Sequence, residues 1–179
     1  MTVKLIGYPA FRPLGRRRRS GLIMSLAVFV FVLGVCGTAQ DRRIVPVPIA
    51  RKQALVIANA DYRLSPLKNP LNDGAAMQAA LKAPGFEVTL KQNLDLAQME
   101  EAIDEFTANV APKSFAFVYF SGHGIQVKAN NYLIPVDFNA STEADVKYKS
   151  YAASRLQEKL EETGASLRVI VLDACRALT

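Results

Sequence analysis

Residues 115–124 read Phe-Ala-Phe-Val-Tyr-Phe-Ser-Gly-His-Gly. Six apolar residues follow one another with no helical or alternating period. Such a short continuous run is the pattern of a β-strand buried on both faces, as in a parallel sheet. It breaks abruptly into small and polar residues at Ser121, and the only histidine of the chain, His123, stands between two glycines. Outward from this stretch the pattern repeats. Residues 54–58 (ALVIA) and 169–172 (VIVL) are equally apolar, and 86–90 (FEVTL) reads as a further strand. The run at 169–172 passes directly into Asp173-Ala174-Cys175-Arg176.

Helical patterns separate these runs. Leu96, Met99, Ile103, Phe106 and Val110 recur at helical spacing, with Glu100, Glu101, Asp104 and Glu105 on the other side, and Pro112 ends the pattern. Those four acids read as a solvated helix face and not as a metal cluster. Asn72 is suited to cap a helix running to about Lys82, stopped by Pro84-Gly85. Leu156 and Leu160 mark another, ending near Gly164. Residues 125–127 and 132–134 flank Ala129-Asn130-Asn131 and read as a hairpin. Apolar strands alternating with amphipathic helices predict an α/β fold, a mostly parallel sheet with helices on both faces. The strands at 115–120 and 169–172 are expected to be neighbours.

The formal charge of +6 does not point to nucleic acid. Lys4, Arg12 and Arg16 to Arg19 lie in the first 39 residues, which hold no acid, so from Gln40 onward 16 bases face 16 acids. The excess belongs to the leader. There a basic block precedes an apolar run at 22–35, followed by the small residues Gly37, Thr38 and Ala39. This is the order of a secretory signal, with cleavage expected after Ala39. The alternative is membrane attachment through residues 16–37 as an uncleaved anchor, since the run is only a little shorter than the ~20 residues that span a bilayer. The expected organisation is a leader at 1–39, a proline-containing linker at 40–52 and a folded domain at 53–179, exported or membrane-anchored. Cys36 lies in the leader, so the domain keeps Cys175 as its single thiol and has no disulfide framework.

His123 and Cys175 each follow a buried strand. Ligands of open parallel sheets sit beyond the carboxyl ends of the strands. Flanking glycines let a backbone approach a substrate closely. A lone histidine is usually only a polar residue, and a lone cysteine usually a small hydrophobe. Their shared placement favours a thiol with an imidazole as its base or ion-pair partner. Asp173 is either a turn cap or the wall of a cation-binding pocket. Asp73 is either a first-turn helix acid, favoured by the helix dipole, or part of the same pocket.

The blocks Ala54-Leu55-Val56-Ile57-Ala58-Asn59, Leu71-Asn72-Asp73, Tyr119-Phe120-Ser121-Gly122-His123-Gly124, Tyr132-Leu133-Ile134-Pro135-Val136-Asp137 and Leu172-Asp173-Ala174-Cys175-Arg176 resemble, in that order, the caspase-like cysteine peptidases, most closely bacterial metacaspase-like members. The resemblance covers about residues 53–177. It implies a caspase-like three-layer fold and hydrolysis of protein or peptide substrates. His123 matches the family's catalytic histidine and Cys175 its nucleophile. The amides of Gly124 and Cys175 match its oxyanion hole. Asp73 and Asp173 match acids that line the pocket for a basic residue before the scissile bond, so cleavage after Arg or Lys is expected. Animal caspases, which cut after aspartate, carry glutamine where this chain has Asp173. The family's later strands, which follow the nucleophile, are not in this sequence, and Ala177-Leu178-Thr179 departs from its usual turn. The calcium-binding acids of some metacaspases lie in that later region, so no metal or other cofactor is carried over.

Two functional classes follow. One is an exported cysteine endopeptidase. The other is a catalytically impaired caspase-like module that binds or regulates. A phosphate-binding receiver-like domain shares the sheet but leaves the placement of His123, Asp173 and Cys175 unexplained, and there is no glycine-rich phosphate loop. The strand at 169–172 is expected to leave its outer edge unpaired, and so to favour self-association.

Overall fold

The computed structural model describes residues 2–4, 49–139 and 142–177, with 2–4 and 175–177 as backbone alone. All of these belong to one compact unit. The apolar run at 22–35, Cys36, the cleavage position at Ala39, most of the linker, and Leu178-Thr179 lie outside the described residues. Among the described residues no helix is long and apolar enough to cross a membrane.

In chain order the elements are β1 (Thr2–Lys4), β2 (Lys52–Ala58), α1 (Pro70–Lys82), β3 (Glu87–Gln92), α2 (Leu96–Asn109), β4 (Phe115–Val127), β5 (Asn130–Leu133), α3 (Glu143–Tyr148), β6 (Tyr151–Ala152), α4 (Ala153–Glu162) and β7 (Leu167–Ala177). The sheet runs β1-β7-β4-β2-β3. Strands β7, β4, β2 and β3 are mutually parallel. At the far end of β4 the sheet continues through β5 and β6, both antiparallel to their neighbours.

Strand pleating sends alternate side chains to opposite faces, and each face meets its own helices. Leu55, Ile57, Val118 and Phe120 pack with Met99, Ile103 and Phe106 of α2 and Leu156 and Leu160 of α4. On the other face Ala54, Val56, Tyr119 and Val171 pack with Met77 and Leu81 of α1. This is the expected three-layer α/β arrangement. Helix α1 comes so close to the sheet at Gly74 that a Cβ there would lie 2.7 Å from the Ala58 Cβ.

Several expectations are revised. Asn72 does not cap α1: the cap position is Asn69, without a side-chain bond, and Pro70 opens the helix. Proline is suited to that first position because its missing N–H has no intrahelical partner there. Helix α2 opens on a reciprocal Asp95–Gln98 capping box. Its acidic face is partly engaged, since Glu100 pairs with Arg155 and Asp104 with Lys159, both of α4. The hairpin turn sits at Lys128 and Ala129, both with positive φ (47° and 68°), one residue earlier than the asparagines indicated. Strands β4 and β7 are longer than their apolar runs. Ser121 to Gly124 and Asp173 to Cys175 therefore lie inside strands and not after them. The reason is partner supply: where β2 ends at Ala58, opposite Ser121, β5 takes over beside β4 from Gly124.

The outer edge of β7 is not bare. β1 pairs antiparallel with it, Thr2, Val3 and Lys4 opposite Leu172, Val171 and Ile170. Because β1 comes from the segment expected to act as a leader, loss of that segment would uncover those positions.

Candidate active site

The alignment of β4 with β7 sets the two candidate residues side by side. The strands run parallel in register from Phe115↔Leu167 onward, and the pairing carries through to His123↔Cys175 and Gly124↔Arg176. Adjacent strands lie about 4.8 Å apart, so the histidine and cysteine backbones are nearest neighbours across the ladder. Gly124 also faces Leu133 of β5, which places it between two strands.

The imidazole of His123 is held by one loop, the segment that leaves β2. Its Nε2 lies 2.8 Å from the carbonyl oxygen of Ser65. A carbonyl only accepts, so in the neutral ring Nε2 carries the hydrogen and Nδ1 keeps the lone pair. Ser65 has φ +69°, a conformation sparsely populated by non-glycine residues, of the kind often found at functional sites. The Tyr62 ring packs against the imidazole with centroids 4.4 Å apart and a tilt of 54°. The His123 amide donates to the Tyr62 hydroxyl at 2.9 Å, and that hydroxyl donates to the Ile134 carbonyl at 3.1 Å. Burial is the main cause that pushes the Tyr62 hydroxyl up to about 12, so it stays protonated. Tyr62 and Ser65 were not singled out from the sequence, because nothing in a tyrosine three residues beyond Asn59 shows where its hydroxyl ends.

Asn59 anchors the same loop. It is fully buried; its side-chain oxygen accepts from the Leu94 N–H at 2.9 Å. Its amide nitrogen donates to the carbonyls of Leu94 and Ile134, each at 3.3 Å.

The two candidate specificity acids converge on a third residue. Tyr119, buried on the α1 face of the sheet, donates its hydroxyl to Asp173 Oδ2 at 3.0 Å. Burial first, then the Asp173 hydrogen bond, with smaller contributions from the charges of Asp173 and Asp73, push the Tyr119 hydroxyl up to about 12. It is therefore a neutral donor throughout the physiological range. Asp73 sits in the first turn of α1 on this face. The result is a patch of two half-buried carboxylates around one phenol, with Tyr119 and Asp173 on the same two strands as His123 and Cys175, and Asp73 on α1. Among the described residues no group of three or more His, Cys, Asp or Glu side chains is placed to hold a metal ion.

The family described as the caspase domain matches residues 51–178. The human protein named "Mucosa-associated lymphoid tissue lymphoma translocation protein 1" is 31% identical over 134 residues, covering 72% of this chain and 16% of that protein. Its mouse homolog is likewise 31% identical over 134 residues, covering 72% of this chain and 15% of its own length. The chain thus spans about a sixth of the length of these relatives.

Proposed function

The chain belongs to the caspase-domain family, and from that premise we propose that it is a cysteine endopeptidase that cuts protein substrates after Arg or Lys. The observation that carries this reading is the cross-strand pairing of His123 with Cys175. In the proposed reaction Nδ1 of His123 takes the thiol proton of Cys175. The thiolate attacks the carbonyl carbon, and the negative charge moves to the carbonyl oxygen. The amides of Gly124 and Cys175 donate to that oxyanion. Collapse breaks the C–N bond, and the imidazolium returns the proton to the leaving amine. A thioester remains. Water, deprotonated by Nδ1, cleaves it to the acid and regenerates the thiol. With Nε2 committed to Ser65, the imidazole keeps one orientation for each transfer.

Asp173 and Asp73 give the site a negative wall for the side chain before the cut. A guanidinium held by a partly desolvated carboxylate forms charge-assisted hydrogen bonds roughly twice as strong as neutral ones. The Tyr119 hydroxyl occupies Asp173 Oδ2 and leaves Oδ1 for substrate. In this reading the leader takes the domain out of the cytoplasm or tethers it to a membrane, and fractionation of cells expressing the tagged chain tests that placement.

The deciding experiment is hydrolysis of matched peptide reporters by the full chain. Arg and Lys peptides should be cut and the Asp peptide left intact, with Cys175→Ala and His123→Ala both silent. Activity that survives Cys175→Ala, or equal cleavage of Asp and Arg peptides, would overturn the dyad or the pocket, respectively.

A further inference from the structure

We infer that Tyr62 is the positioning residue for His123, supplying through its hydroxyl the strand partner that β4 lacks at the catalytic position. The role in catalysis rests on the peptidase reading above; the structural role does not. β2 pairs with β4 as far as Ala58↔Ser121, and β5 begins at Gly124↔Leu133. Between them, Gly122 and His123 have no strand on that side among the described residues. The Tyr62 hydroxyl fills the gap. It accepts from the His123 N–H and donates to the Ile134 carbonyl, while the Ile134 N–H donates back to the His123 carbonyl at 3.1 Å. This is a closed ring of hydrogen bonds through the histidine's own backbone, and one phenol completes it.

Gly122 is the counterpart of this arrangement. A Cβ at that position would lie 2.4 Å from the Tyr62 hydroxyl oxygen, 2.9 Å from the Phe120 ring and 3.3 Å from the Asn59 carbonyl. The space a side chain would need is taken by the positioning hydroxyl. Three residues further along the same loop, the Ser65 carbonyl accepts from Nε2. The loop therefore fixes the histidine's backbone, the face of its ring and its tautomer together. If the hydroxyl is lost, the ring contact remains but the backbone bond that aims the imidazole does not.

The chain has a single histidine, so its imidazole nitrogen resonances can be read without assignment ambiguity, independently of turnover. In the full chain the neutral ring is expected in the Nε2–H tautomer. Tyr62→Phe keeps the ring and removes only the hydroxyl. It should shift the tautomer ratio toward a mixture, by about tenfold, and lower kcat by about 10- to 100-fold with KM within about twofold, as misplaced catalytic groups do. Gly122→Ala displaces the hydroxyl without removing it and should move both readouts the same way. Combined with Tyr62→Phe its effect should be smaller than the sum. If either variant lowers the melting temperature while tautomer ratio and kcat stay within about twofold of wild type, Tyr62 is only a packing residue and the inference is wrong. Should Cys175→Ala leave hydrolysis intact, the peptidase reading falls, and the tautomer measurement still decides the role of Tyr62.

Discussion

Replacing Asn59 with alanine should cost more than its size implies, and the structure says how the cost divides. Three backbone groups lose a bond: the Leu94 N–H and the carbonyls of Leu94 and Ile134. They are not equal. The Leu94 carbonyl still accepts from the Val136 N–H, and the Ile134 carbonyl still accepts from Tyr62. The Leu94 N–H keeps nothing, because Asn59 Oδ1 is its acceptor among the described residues. A buried donor left unpaired costs about 1–3 kcal/mol, and each second bond to an already satisfied carbonyl about 0.5–1 kcal/mol. With a small cavity added, the total is about 3–5 kcal/mol. That is a large share of the ~5–15 kcal/mol that holds a typical domain folded.

Urea unfolding of the full chain measures this as a lower midpoint at unchanged slope. Asn59→Asp sharpens the test. It keeps the acceptor for Leu94 but turns the donor into a second acceptor against two carbonyls. Burial and those carbonyls would raise the introduced carboxyl's pKa in the folded state above its unfolded value of about 3.9. The folded state then holds the proton longer, so the penalty is smallest below the unfolded value and grows as pH rises toward the folded value. Asp should be worse than Ala at neutral pH and recover on acidification. A loss below about 1 kcal/mol for Ala, or an Asp variant as stable as wild type at neutral pH, would refute the accounting.

Gly74→Ala should destabilise by about 1–3 kcal/mol by thermal or urea melting, because the new methyl meets Ala58; helix propensity alone would give a gain of ~1 kcal/mol, so the sign separates the two. Tyr119→Phe should raise KM for Arg reporters by about threefold to tenfold through the loss of one bond that orients Asp173, and an unchanged KM would remove Tyr119 from the pocket. Tyr62, Tyr119 and Tyr151 are all pushed up to about 12. The folded state therefore keeps protons that the unfolded state gives up at about 10, and stability should fall as pH rises from 10 toward 12. Val3→Pro should break the pairing of β1 with β7 at Val171 and increase self-association in sedimentation velocity, since an uncovered strand edge is a template for pairing. A variant that sediments as wild type does would show that β1 is not what guards this edge.

The layers of the fold were legible in the sequence because burial on two faces leaves a local trace. Runs such as 54–58 and 115–120 have no polar alternation, and the spacing of Leu96, Met99, Ile103 and Phe106 turns one helix face inward. The neighbouring placement of His123 and Cys175 was legible for a related reason. They stand where apolar strands give way to small and polar residues, and each is the sole residue of its type in the predicted domain. Composition also located the excess positive charge in the first 39 residues.

What the sequence could not contain is the partner of each backbone group. The extension of β4 and β7 beyond their apolar runs depends on one another and on β5, which arrives from the hairpin. The pairing of β1 with the outer edge of β7 joins residues about 170 positions apart. The short elements α3 and β6 leave little periodic trace over six and two residues. Asn59 and Tyr62 are ordinary polar residues in one dimension. Only after β2, the Leu94 turn and Ile134 have converged do they become the anchor of the loop and the clamp on His123. Hydrophobic patterning is written residue by residue, because each side chain carries its own preference for water or core. A hydrogen bond between distant segments belongs to neither sequence position alone, and its existence is decided when tertiary packing brings donor and acceptor within reach.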